Sequence, residues 1–333
     1  MDILLINPRI DTRQRPPLGL AYIAAILKQN KISVAIFDPL PSNDICNKLS
    51  NIIIEHNPKI IGITLTTPQV ALAYQLSRTI KEINSKIIIV VGGPHVTATA
   101  EEIIKNKDLD IAVIGEGDYT LLDLFNAILN KKNLKEIKGI CYKNNDKIIR
   151  TSPRPLIENL DDLPLPAREL LDNKWYSKRG SLIRGLWLRT ATVITSRGCP
   201  GACIYCSSHI TFGRKIRRRS IANVLKEIRY LIETNGIEGI FFCDDTMTMN
   251  KEWMLSFCKE LKKLSKRVVW ACQSRVNTID EELLREMKDS GCVQIEFGCE
   301  SGSQKVLNAL KKNITVEQII NAFNLTKKAG IRT

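Results

Sequence analysis

The sequence predicts an α/β protein: a flavodoxin-like doubly wound parallel sheet in the N-terminal half, then a partial (β/α) barrel. Two observations predict this. Short, nearly continuous apolar runs rich in Ile and Val alternate with amphipathic stretches, the pattern of parallel strands buried on both faces and joined by helices. The alternation is interrupted once, by the proline-rich stretch "TSPRPLIENLDDLPLPAREL" (151–170), which separates two such halves. The predicted organisation is therefore a Rossmann-like domain over 1–138, a hairpin and linker over 139–186, and a second α/β domain over 187–333.

In the first half the strands are "DILLINP" (2–8), "SVAIFDP" (33–39), "IIGITL" (60–65), "IIIVVGGP" (87–94) and "DIAVIGEG" (110–117). Helix starts lie between them. Thr67 is placed to cap and Pro68 to take the first helical position before Val70, Ala73, Leu76 and Ile80. Thr99 and Glu102 have capping-box spacing, and Asp118 precedes Leu121, Leu124 and Phe125. Ligands of such sheets bind beyond the carboxyl ends of the strands. That puts Gly92, Gly93 and His95, and Gly115 with Gly117, in the candidate crevice. The run "GICYKNNDKIIR" (139–150) predicts a hairpin turning at Asn-Asn-Asp.

The second half predicts strands at 191–197, 238–243, 267–273 and 293–298. Ser220 caps a helix that stops at Gly236, and Asn250 caps the next. Thr278 with Glu281 opens a third, closing at Gly291. Thr315 with Gln318 opens the last, closing at Gly330. Consecutive βα units of this length build a barrel or part of one. The final "GIRT" reads as the start of another strand, so the barrel is expected to be incomplete or the chain truncated.

A hydrophobic content of 44% and a charged content of 25% exclude a disordered chain. No apolar run reaches the roughly 18 residues of a membrane span. The start "MDILLINP" has no basic segment of the secretory kind. Ten cysteines in that context predict reduced thiols and a cytoplasmic protein. The net charge of +14 fits nucleic acid, anionic membranes or acidic substrates, or a lysine-rich composition without functional meaning. The densest basic run, "GRKIRRRS" (213–220), has no aromatic platform beside it and reads as a solvated run flanking a helix.

Chemistry concentrates in "TSRGCPGACIYCSSH" (195–209), where Cys199, Cys203 and Cys206 stand at C-x3-C-x2-C spacing. Three thiolates in one loop past a strand end fit an iron–sulfur cluster with an open iron, zinc with His209 as fourth ligand, or a disulfide with a spare thiol. Gly198, Pro200 and Gly201 let the backbone fold closely around a bulky group. Cys243, Cys272 and Cys299 fall in strands and read as small buried hydrophobes.

This loop, with Tyr205 directly before the last cysteine, resembles the radical SAM superfamily. The likeness extends through "FFCDDT" (241–246), "CQSRVNT" (272–278) and "IEFGCESGS" (295–303). The first half resembles the cobalamin-binding domain fused to that core in one subfamily, through "PPLGLAYIAAILK", "VGGPH" and "IGEGD". The resemblance implies a 4Fe-4S cluster held by Cys199, Cys203 and Cys206, S-adenosyl-L-methionine (SAM) on its open iron, and cobalamin on the N-terminal sheet. It implies SAM contacts from Asp244 and Asp245 to the ammonium, Arg275 to the carboxylate and Glu300 to the ribose, with Tyr205 in the aromatic slot. The corrinoid crevice would be lined by Gly92, Gly93, His95, Gly115 and Gly117. The loop after the first strand, "NPRIDTRQRPPLG", has no histidine, so a corrinoid would lack the lower ligand of the D-x-H-x-x-G type.

The expected activity is cleavage of SAM to a 5′-deoxyadenosyl radical, with methyl transfer to an unactivated carbon the leading outcome. Cyclisation, rearrangement and transfer-RNA modification are the alternatives. A zinc- or cluster-stabilised nucleic-acid-binding module is the rival of another class. The expected partners are a small-molecule substrate or precursor and a reducing protein such as flavodoxin or ferredoxin, with no membrane and nucleic acid not favoured.

Overall fold

The computed structural model describes residues 1–145, 147–180 and 182–333. It has two compact units: Met1–Ile157 with Asp162–Asp172 and Ile210–Phe212, and Glu158–Asp161 with Asn173–His209 and Gly213–Thr333.

The first unit runs β1 (Ile3–Ile6), α1 (Leu18–Gln29), β2 (Val34–Phe37), α2 (Ile45–His56), β3 (Ile60–Thr64), α3 (Val70–Ile83), β4 (Ile88–Gly92), α4 (Pro94–Ile103), β5 (Ile111–Val113), α5 (Thr120–Leu129), β6 (Ile140–Asn144) and β7 (Lys147–Arg150). Strand order is β2-β1-β3-β4-β5-β6-β7, so the first five follow the flavodoxin-like order, all parallel. Strand alternation explains the double winding. Ile3 and Leu5 pack with Leu20 and Leu27 of α1 and Leu124 of α5. Leu4 and Ile6 pack on the other face with Leu49 of α2 and Leu76 of α3.

The predicted hairpin forms, and β6 pairs antiparallel with β5, making the sheet mixed. Asn144 and Asn145 lie at its turn; Asp146 lies outside the described residues.

Two predicted caps of this unit move. Thr66, not Thr67, forms the capping box with Gln69, because Gln69 lies three residues on and returns its side chain to the Thr66 N–H at 2.8 Å. α4 starts at Pro94 behind Gly93, so Thr99 lies inside the helix and donates to the His95 carbonyl at 2.8 Å instead of capping.

The second unit runs α6 (Asn173–Tyr176), β8 (Arg179–Gly180), β9 (Leu188–Val193), β10 (Ser196–Arg197), α7 (Ser208–Phe212, its last three residues counted with the first unit), β11 (Arg217–Arg218), α8 (Ile221–Asn235), β12 (Gly239–Phe242), α9 (Lys251–Leu261), β13 (Val269–Ser274), α10 (Glu281–Asp289), β14 (Cys292–Phe297), α11 (Gln304–Ala309) and α12 (Val316–Lys328). The order β14-β13-β12-β9-β8 is parallel from β14 to β9, with β8 antiparallel at the edge. One face is covered by α8, α9 and α10 through Ile228, Phe257 and Leu284 against Ile240, Phe242 and Trp270. The sheet curls as a half-barrel, and Phe241 and Ala271 face its other side with Ile183. In "GIRT", the Arg332 N–H donates to Val293 O at 3.1 Å and its carbonyl accepts from Ile295 N at 2.9 Å, so the predicted strand start lies along β14.

Ser220, Asn250 and Thr315 cap as expected, each accepting from a backbone N–H of the first turn. Thr278 does not: Asp280 takes that position, its carboxylate accepting from Leu283 N at 2.9 Å, while Thr278 ends a short 3-10 turn. The basic run is solvated only in part, at Arg214 and Lys215. Arg217 and Arg219 are buried, because β11 pairs with β10 and Arg219 Nη1 reaches Glu227 at 2.5 Å and Ile194 O at 2.9 Å.

Candidate active site

The predicted strand 191–197 breaks after Val193, and the break builds the site. Thr195 turns its N–H and hydroxyl to the Asp244 carboxylate, at 3.2 and 2.7 Å, and Ser196 Oγ donates to the same carboxylate at 2.5 Å. The chain then leaves the sheet toward the cysteine loop. That loop is pinned by Cys199 N to Gly213 O at 3.3 Å and Ile204 N to Leu310 O at 3.1 Å.

Beyond the ends of β12, β13 and β14 lies a cavity of about 350 Å³, lined by Cys199, Cys203, Cys206, Tyr205, Asp245, Arg275 and Glu300. The structure thus gathers all three cysteines and four of the five predicted SAM-contact residues. Asp244 is the exception. It is fully buried behind the cavity wall; burial raises its pKa, opposed by the hydrogen bonds from Ser196 and Thr195. Asp245, next in sequence, is exposed to the cavity and accepts from Ser208 Oγ. His209 lines the cavity as well.

The loop glycine matters sterically. A methyl group at Gly201 would stand 3.5 Å from Cys199 Sγ, 3.6 Å from Cys203 Sγ and 3.2 Å from Arg275 Nη1. Two sulfurs and a guanidinium therefore converge on one open point beside bare backbone. Among the described residues no three His, Cys, Asp or Glu side chains meet closely enough to hold a single metal ion. The thiols instead flank a cavity, which suits a cluster whose irons are spread over several ångströms better than one tetrahedral zinc.

Lys312 was not legible in the sequence and is central here. Although a lysine, it is buried, and its Nζ donates to Glu300 Oε1 at 2.9 Å and to Tyr205 Oη at 2.8 Å. This ammonium holds the Glu300 carboxyl below the usual carboxylate range. Partial burial, then the Glu300 carboxylate, raise the Tyr205 phenol. Arg275 donates through Nη1 to Cys203 Sγ at 3.6 Å and through Nη2 to the Lys312 carbonyl. Gln273 and Glu296, also unpredicted, line the same wall; alternation along β13 and β14 turns them inward.

In the first unit the predicted crevice residues gather at the ends of β4 and β5. Gly92 ends β4 and pairs with Thr64. Gly93 has φ +103, and a Cβ there would lie 2.8 Å from Leu65 O. Thr67 Oγ1 and His95 Nδ1 share a hydrogen bond at 3.1 Å. Gly115 N donates to Thr97 Oγ1 at 3.0 Å, and Gly117 precedes α5. The loops after β1 and β2, expected at the crevice, meet there through Gln69, which the sequence does not mark: its Nε2 donates to Asn7 Oδ1 and Asn7 Nδ2 to Asp38 Oδ1, both at 2.9 Å.

Comparison with known proteins agrees with this geometry. The B12 binding domain model matches residues 13–125 and the radical SAM superfamily model residues 193–333. An uncharacterised methyltransferase of Pyrococcus horikoshii is 37% identical over 99% of this chain and 72% of its own. The anaerobic magnesium-protoporphyrin IX monomethyl ester cyclase of Rubrivivax gelatinosus is 30% identical over 96% of this chain, which spans only 58% of that relative. Among solved structures, the cobalamin-dependent S-adenosylmethionine radical enzyme OxsB, with aqua-cobalamin and S-adenosylmethionine bound, shares the fold at a TM-score of 0.85 and 21% identity, covering 99% of this chain and 48% of that one. The methyltransferase TsrM of Kitasatospora setae, with cobalamin and a [4Fe-4S] cluster bound, does so at 0.84 and 19%, covering 99% and 68%. With a B12-binding sheet followed by a half-barrel whose cysteine loop opens onto a cavity, and with such a relative along its whole length, the chain belongs to the cobalamin-binding radical SAM family.

Proposed function

We propose that this protein is a cobalamin-dependent radical SAM methyltransferase acting on an unactivated carbon of a small molecule or precursor. The observation that carries the reading is the cavity shared by three cysteine thiols, Arg275, Asp245 and Glu300. Cys199, Cys203 and Cys206 would hold a 4Fe-4S cluster. When bound, that cluster supplies the electron that cleaves SAM to a 5′-deoxyadenosyl radical, and cobalamin supplies the methyl group.

The chain's own residues have separate tasks. Asp245, exposed to the cavity, rather than the buried Asp244, is positioned to accept from the SAM ammonium. Arg275 offers charge to the carboxylate, and Glu300 to ribose hydroxyls. Asp244 orients the loop by gathering the donors of Thr195 and Ser196. Gly92, Gly93, His95, Gly115 and Gly117 would line the corrinoid crevice, without a histidine from the loop after β1.

A second reading, radical cyclisation, is favoured by the cyclase relative. Residues 1–138 as the corrinoid domain, 139–186 as hairpin and linker and 187–333 as the radical core remain the proposed division. Among the described residues no helix is long and apolar enough to cross a membrane, and all ten cysteines are free. A reduced cytoplasmic setting, with flavodoxin or ferredoxin as electron donor, fits those thiols. Burial of Arg217 and Arg219 removes two of the five basic residues of the run from any nucleic-acid surface.

Anaerobic reconstitution tests the reading. About four irons per chain are expected in the parent, with loss of the cluster in Cys199→Ala, Cys203→Ala and Cys206→Ala. Under dithionite, SAM should give 5′-deoxyadenosine, read by chromatography. A full iron complement in any of the three variants would overturn the ligand assignment. Methylated against cyclised product, with methylcobalamin present, separates the two readings.

A further inference from the structure

Lys312 is the one buried cation of the cavity wall that the proposed reaction leaves without a task. It comes from the loop between α11 and α12, yet its contacts reach three of the four residues proposed to face SAM: Tyr205, Glu300 and Arg275. Its ammonium touches Tyr205 on the cysteine loop and Glu300 beyond β14, and its carbonyl holds Arg275, whose other nitrogen lies against Cys203.

Glu300 needs such a hold. It adopts φ +64, a left-handed conformation that a non-glycine residue takes only when its surroundings enforce it. Space around the pair is committed as well: a Cβ on Gly298 would lie 2.9 Å from Glu300 Oε1 and 3.0 Å from Lys312 Nζ. A side chain at this position would therefore have to push carboxylate and ammonium aside.

We propose that Lys312 is a positioning residue for the nucleoside of SAM. It locks the Tyr205 ring and the Glu300 carboxylate into one rigid unit, so that stacking surface and hydroxyl acceptor are fixed before the ligand arrives. The proposal rests on the reading of this cavity as the SAM site. Pre-organisation of this kind appears as affinity, because the ligand no longer has to order two flexible side chains.

The test is equilibrium dialysis of labelled SAM against the reconstituted full chain, with iron content and thermal midpoint measured on each sample. Lys312→Met should keep its iron and bind SAM about tenfold more weakly, the scale of one charge-assisted hydrogen bond. Lys312→Arg should recover most of that loss. Glu300→Gln placed on Lys312→Met should weaken binding by less than the sum of the two single changes, since both break one unit. Gly298→Ala, which keeps every charge, should also weaken SAM while retaining iron, and it decides the matter if Lys312→Met loses its fold. SAM affinity within twofold of the parent in the variant that decides, or strict additivity in the double variant, overturns the proposal. A parent that takes up no cluster or binds no SAM overturns the underlying reading, and the assignment of Lys312 with it.

Discussion

Arg275 Nη1 lies 3.6 Å from Cys203 Sγ, so a permanent cation touches one of the three thiols of the cavity. Positive charge and hydrogen bonding at a cluster sulfur stabilise the reduced state. Arg275→Gln, reconstituted to the same iron content, should therefore show a more negative midpoint potential in an EPR-monitored redox titration, and Arg275→Lys an intermediate one. An unchanged potential in Arg275→Gln would assign the guanidinium to the Lys312 carbonyl alone.

Asp244 and Asp245 should separate cleanly. Asp244→Ala orphans the donors of Thr195 and Ser196, at about 1–3 kcal/mol per buried group, so its thermal midpoint should fall. Asp245→Ala should leave the midpoint near that of the parent and weaken SAM binding. The reverse pattern would return the ligand role to Asp244.

Asp244 also predicts a pH dependence. Burial raises its pKa in the folded chain, so between the ordinary carboxylate value and the raised one the folded state binds more protons than the unfolded state. This contribution to stability therefore declines as pH rises through that window. Denaturant unfolding of the parent and of Asp244→Asn at matched pH values should show a smaller decline in the variant. Parallel profiles would contradict the raised value.

How much of the site was legible follows from the range of each signal. The cysteine loop is local: three thiols, two glycines and an aromatic within a few residues announce their chemistry without a fold. Lys312 carries no such mark, because its meaning comes from Tyr205, 107 positions earlier in the chain. Choosing between Asp244 and Asp245 required knowing that Thr195 turns back toward β12, a fact of tertiary packing. The doubly wound sheet was readable from strand alternation, yet nothing in "GICYKNNDKIIR" says that its first strand docks on β5. The cap errors at Thr67 and Thr278 share one cause, and that at Thr99 has another. At Thr67 and Thr278 several capping side chains crowd the helix start, and the preceding backbone selects among them, whereas at α4 a glycine with positive φ starts the helix five residues before Thr99.

The buried pair Arg219–Glu227, with side chains 4% and 1% exposed, predicts where the basic run matters. Glu227→Ala leaves a buried charge uncompensated and should cost about 3–5 kcal/mol in urea unfolding. Lys215→Ala, on the exposed part of the run, should fall within about 0.5 kcal/mol of the parent. Equal costs would mean that the run acts as a surface after all.

His95 offers a spectroscopic check on the first unit. With Nδ1 engaged by Thr67 Oγ1, the ring is held at the end of β4. His95→Ala should weaken hydroxocobalamin binding several-fold in a spectral titration of the full chain. An identical titration curve would remove His95 from the corrinoid surface.

The hairpin β6–β7 has a bearing on solubility as well as on fold. A parallel sheet ending at β5 would present a short, fully apolar strand with unpaired amides, an invitation to a neighbouring molecule. Two antiparallel strands move that rim outward to β7, "KIIR", where Lys147 and Arg150 are exposed and like charges would face each other in any strand-to-strand encounter. Two like charges on that rim, Arg150 steadied by Glu101 at 3.3 Å, therefore weigh against the pairing of one copy's edge with another's.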